Sequence, residues 1–169
     1  MNWEIVEAIS ALIASIATLL TLIYLAIQIR DSNRLARSAS LQSVIESFLT
    51  HVVSPTNNER TIDITNRGHN DYSKLSNSEK STFFNDMSRS MLHMQNVMQL
   101  HQNGLLDEVD YRAWMTYAAS TITSPGGKEC WSVLKLSLTP TLVQEIDEFV
   151  AKNPSTPSFL DLDPARVIA

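Results

Sequence analysis

Only one cysteine, Cys130, occurs in the 169 residues, so no internal disulfide can form; a lone thiol also suits a reducing compartment. Glycine is nearly as scarce, with four in the chain, and neither glycine nor proline occurs between Met1 and Val53. Nothing in that stretch therefore punctuates a helix. Basic residues are outnumbered, 13 against 18 acidic, for a net charge of -5. A nucleic-acid binder needs a concentrated basic face, and nucleic acid is excluded as a partner on that ground. No segment alternates apolar and polar residues with strand period between turn signals, and no repeat of 20 to 50 residues recurs.

What is present begins with a run from Ala8 to Ile29 that holds no charged side chain and only one amide, Gln28. As a helix it would be roughly 33 Å long, enough to cross a hydrocarbon core of about 30 Å. A cleaved signal peptide carries a basic flank and a shorter apolar stretch; here Glu4 and Glu7 precede the run. A buried helix of a soluble protein would show a polar face. A membrane span is the expected reading. Arg30, Arg34 and Arg37 follow the run, offset only by Asp31, which places the N-terminus outside and the rest in the cytoplasm. The same three arginines are expected to meet lipid headgroups. Ser10, Ala11, Ala14 and Ser15 put small side chains on one face of the span at four-residue spacing, the pattern of helices that associate in lipid.

Leu41, Val44, Ile45, Phe48, Leu49 and Val52 continue with helical spacing, so one helix is expected from the membrane to about His51, ending before Pro55. A loop over Ser54–Thr61 and a short helix from about Asn58 to Arg67 follow, then a loop holding Gly68, Asn70 and Asp71. Ser76 and Glu79 have capping-box spacing. The helix they open carries Phe84, Met87, Met91, Met94 and Met98 on one face and stops at Asn103-Gly104. Asp107 caps a helix burying Tyr111, Trp114, Ala118 and Ile122. Ser124-Pro125 and Thr139-Pro140 each restart the chain as a helix, proline being tolerated in the first turn. The expected fold is all-α: a short external N-terminus (1–7), a transmembrane helix (8–29), its cytoplasmic continuation (30–53), a helical bundle (54–152) and an irregular tail (153–169).

Several segments resemble a known group. These are the Tyr24-Leu25-x-x-Gln28-Ile29-Arg30 exit from the span, the Gly104-Leu105-Leu106-Asp107 turn with Trp114 seven residues on, and Ser124-Pro125-Gly126-Gly127 with Trp131 nearby. Together, over most of residues 3–151, the chain is similar to a widespread uncharacterised family of bacterial membrane-anchored proteins. The resemblance implies a bacterial inner-membrane location and the architecture above; it brings no activity and no catalytic residues.

The chemistry-bearing residues read mostly as structure. Thioethers can bind copper, but a methionine stripe at helical spacing is ordinary core filler. His51, His69, His93 and His101 have no metal-ligand spacing around them. Cys130 could act as a nucleophile near a helix start with Lys128 close by, yet it falls on the Trp131/Leu134 apolar face. The Ser124–Lys128 stretch lacks the full phosphate-loop pattern. No cofactor or metal is expected. The expected function is non-catalytic: a self-associating membrane-anchored scaffold or accessory subunit whose partners are the bilayer, further copies of itself and another membrane protein. An oligomeric pore built from the N-terminal helices and a tethered enzyme using Cys130 are the alternatives. Phe159, Leu160, Leu162, Val167 and Ile168 could dock the tail on a neighbouring subunit.

Overall fold

The computed structural model describes residues 2–54 and 58–161. It is all-α, with no strand among the described residues. The chain forms two compact units, Met1–Ala39 and Ser40–Ala169. Helix α1, Trp3–Phe48, runs through the boundary, so its last turns belong to the second unit.

The first unit is helix alone. Its large apolar side chains from Ile5 to Ile29 are exposed, Leu19 at 59% and Leu20 at 61% among them. Among the described residues its most apolar stretch is uncovered, and by length and composition the helix can cross a membrane. Thr18 and Thr21 donate their hydroxyls to the carbonyls of Ala14 and Ala17, which spares two polar groups any need of water.

The second unit is built around α3, Asn77–Gln102, against which α2 (Glu59–Asn70), α4 (Glu108–Thr123), α5 (Pro125–Leu134) and α6 (Pro140–Lys152) pack. Both halves of the capping box at the start of α3 are made. The Glu79 amide donates to Ser76 Oγ at 3.4 Å and the Ser76 amide to Glu79 Oε2 at 2.9 Å. Met87, Met91, Met94 and Met98 lie in the core, as their spacing predicts, with Val97 beside them. Gly104 ends the helix with φ +70°, a left-handed conformation natural to glycine. Tyr111, Ala118 and Ile122 of α4, Cys130, Trp131 and Leu134 of α5, and Leu142 and Ile146 of α6 close the core. Trp131 Nε1 donates to Asp147 at 2.9 Å, tying α5 to α6.

Four local expectations need correction. Helix α2 does not stop at Arg67: it runs through Gly68 to Asn70, because Gly68 is buried against the Phe83 ring, where a Cβ would sit 2.4 Å from Cδ2. Phe83, not Phe84, is the fully buried aromatic of α3. The end of α1 widens into a π-helical turn, Leu49–Val53. In that turn Val52 goes inward at 4% exposure and Leu49 stays out at 54%, as does Ile45 in the α-helical turn before it at 46%. Finally, Phe159, in a 3-10 turn with Leu160 and Asp161, stacks on His69 of its own chain. Leu162, Val167 and Ile168 lie outside the described residues.

Candidate functional site

Ser10, Ala11, Ala14 and Ser15 lie exposed along α1, as do Arg30, Arg34 and Arg37. They are positions along a single helix.

In the second unit the Ser124-Pro125-Gly126-Gly127 turn meets the end of α2. Ser124 caps α5: the Gly127 amide donates to its Oγ at 3.0 Å, and Pro125 fills the first helical position. A Cβ on Gly126 would lie 1.7 Å from the Gly68 carbonyl oxygen, so the two backbones touch through paired glycines. That approach brings His69 Nδ1 to 2.8 Å from Ser124 Oγ. Ser124 Oγ also lies 3.2 Å from the Thr121 carbonyl, so it joins the His69 ring, the Gly127 amide and the last turn of α4. Ser124 is fully buried, so the Ser–His pair ties the end of α2 to the start of α5 away from solvent. Burial holds the His69 ring neutral, with its pKa pushed down to about 4.

His69 also lines a cavity of about 180 Å³ between α2, α3, α4 and the π-helical turn. Phe48, Val52, Val53, Ile62, Met87 and Phe159 give it apolar walls. Asp86, Ser90, Thr65, Asn66, Tyr117 and Thr121 supply polar ones. Thr65 Oγ1 donates to Asp86 Oδ2 at 3.1 Å, and Arg89 reaches Oδ1 only at 3.5 Å. The Asp86 side chain is 13% exposed, and burial outweighs both partners, raising its pKa. Burial raises the pKa of the Tyr117 phenol as well, with the neighbouring Ser90 side chain opposing the shift. Such a space, apolar with a few convergent polar groups, has the form of a small-ligand site. The π-turn on its rim is a feature often found at functional sites.

The sequence did not point here. His69, Asp86, Ser90 and Tyr117 come from three helices and share no local motif. One faint signal existed: Asp86 and Ser90 are four apart, next to the methionine stripe of α3, where polar residues border the core.

The other candidates resolve as structure. His93 lies between Phe48 and Trp114, with ring centroids 5.3 and 5.0 Å away. Both its nitrogens are buried with no hydrogen-bond partner among the described residues, and burial lowers its pKa. His101 stacks on Tyr111 at 4.1 Å. Tyr111 donates its hydroxyl to Glu145 beside a second, more open hollow of about 350 Å³. Among the described residues, no three His, Cys, Asp or Glu side chains gather as a metal site would require. Cys130 is 1% exposed and burial pushes its thiol up to about 12, the reverse of the low pKa a reactive thiolate needs.

Set beside protein-family models, curated proteins and solved structures, the chain matches none of them.

Proposed function

We propose that this protein is a non-catalytic, membrane-anchored scaffold or accessory subunit. In this reading it self-associates through α1 in a bacterial inner membrane, with its N-terminus outside and the Ser40–Ala169 unit in the cytoplasm. The observation that carries the reading is the uncovered apolar helix. Fourteen large hydrophobic side chains between Ile5 and Ile29 stand exposed. At about 1.5 kcal/mol for each Leu or Ile left in water, that is a cost of roughly 20 kcal/mol, more than the whole stability of a typical domain. An apolar solvent removes it. Arg30, Arg34 and Arg37 then fall at the cytoplasmic headgroups. The small face of Ser10, Ala11, Ala14 and Ser15 lets a second α1 approach closely. Exposed Ile45 and Leu49 extend apolar surface for a partner beyond the span. Membership of the membrane-anchored family that the sequence resembles belongs to the same reading.

Native mass spectrometry of the chain released from lipid nanodiscs tests the assembly. The expected result is a defined oligomer that falls to monomer in Ala11→Leu/Ala14→Leu. A monomer at every concentration, with no co-purifying membrane protein, would contradict it.

A further inference from the structure

The cavity beside the π-turn is not needed for anchoring or for association through α1, and it has a chemistry of its own. Its volume of about 180 Å³ exceeds the roughly 150 Å³ apolar cavity known to take benzene, so a molecule of some eight non-hydrogen atoms fits. Among the described residues that line it, the one carboxyl group is that of Asp86. That carboxylate can accept about four hydrogen bonds. It receives one good one, from Thr65, and a 3.5 Å contact from Arg89, which is not part of the cavity wall. His69, on the same wall, is held neutral by burial and its Nδ1 is bonded to Ser124, so it adds no positive charge. Phe48, Phe159 and Tyr117 put three aromatic rings around the same space. A carboxylate short of donors, an uncharged imidazole and ring faces are the groups that accommodate a cation on an apolar body.

We propose that this cavity is a binding site for a small organic ammonium, an amine carrying an aromatic or branched aliphatic body. The ammonium donates to Asp86, with the Ser90 hydroxyl and the Asn66 side chain within the same wall, and the body packs among Phe48, Met87 and Phe159. A scaffold so equipped would sense an amine on the face that carries Asp86. The proposal stands whether or not α1 self-associates.

Isothermal titration of the full chain in a neutral detergent tests it, with benzylammonium as the probe and benzyl alcohol as the uncharged match in size. The expected result is saturable one-to-one binding of benzylammonium with Kd below about 1 mM. The alcohol should bind at least tenfold more weakly, and Asp86→Asn should lose at least tenfold for the amine alone. Val53→Trp, at a rim position 38% exposed, should block binding while leaving Asp86 untouched. No saturable binding, equal affinity for amine and alcohol, or unchanged binding in Asp86→Asn overturns the proposal. Should Asp86→Asn lose its helical circular dichroism, Val53→Trp decides: unchanged amine binding there overturns it equally.

Discussion

Replacing Ser124 by alanine removes two things at once. The first is the N-cap of α5, in which the Gly127 amide donates to Ser124 Oγ; loss of such a cap costs about 1 kcal/mol. The second is the hydrogen-bond partner of His69 Nδ1, which lies 2.8 Å away on a ring only 2% exposed. A buried polar nitrogen left without a partner costs a further 1–3 kcal/mol or so. Ser124→Ala should therefore lose about 2–4 kcal/mol. In a His69→Leu background, where no ring nitrogen is stranded, the same change should cost only the cap, about 1 kcal/mol. The assay is urea unfolding in micelles, followed by the fluorescence of Trp131, whose buried indole is bonded to Asp147. The four-member cycle isolates the coupling. Equal costs of Ser124→Ala in the two backgrounds would refute the clamp between α2 and α5.

Gly126→Ala should be worse than Gly104→Ala, although only Gly104 has a positive φ. At Gly126 the new methyl meets a backbone oxygen at 1.7 Å and the helices must part, a loss of about 3 kcal/mol or more. At Gly104 nothing lies within 4 Å and the left-handed backbone alone costs about 1–2 kcal/mol; thermal melts of the two variants settle the order. Stability should also fall with acid in a defined window. The His69 pKa is near 6.5 in the unfolded chain and about 4 in the fold, so the folded state binds fewer protons. The His69 contribution is intact above pH 6.5 and is lost progressively down to pH 4, by about 3 kcal/mol. His93, also lowered by burial, acts in the same direction. Denaturation midpoints at pH 7.5, 5.5 and 4.5 should show a flatter profile for His69→Leu; parallel profiles would count against a neutral buried ring.

The elements that could be read from sequence are those specified locally. The Ser76/Glu79 box, the Asn103-Gly104 stop and the Ser124-Pro125 start each hold within four residues, and each lies in the fold where its spacing puts it. The methionine stripe needed only helical periodicity. What escaped reading depends on distant partners. Gly68 looks like a turn residue, and its real constraint is contact with Phe83 and Gly126, fifteen and fifty-eight residues on. The widened turn at Leu49–Val53 has no compositional mark, since Ile45, Leu49 and Val52 fit an ordinary amphipathic helix equally well. The cavity is the extreme case. His69 lacks metal-ligand spacing and Asp86 belongs to no local motif, and nothing joins them until α2, α3 and α4 are assembled around them.

Everything said of anchoring turns on the solvent around residues 8–29. A nitroxide at Leu19→Cys in the full chain reconstituted in liposomes measures it, since the native Cys130 thiol is buried and stays unlabelled. Power-saturation should find oxygen colliding with the label far more often than a water-soluble nickel chelate does, with the preference reversed for a label at Leu35→Cys. A Leu19 label as accessible to the chelate as the Leu35 label, or shielded from both reagents, would contradict the account.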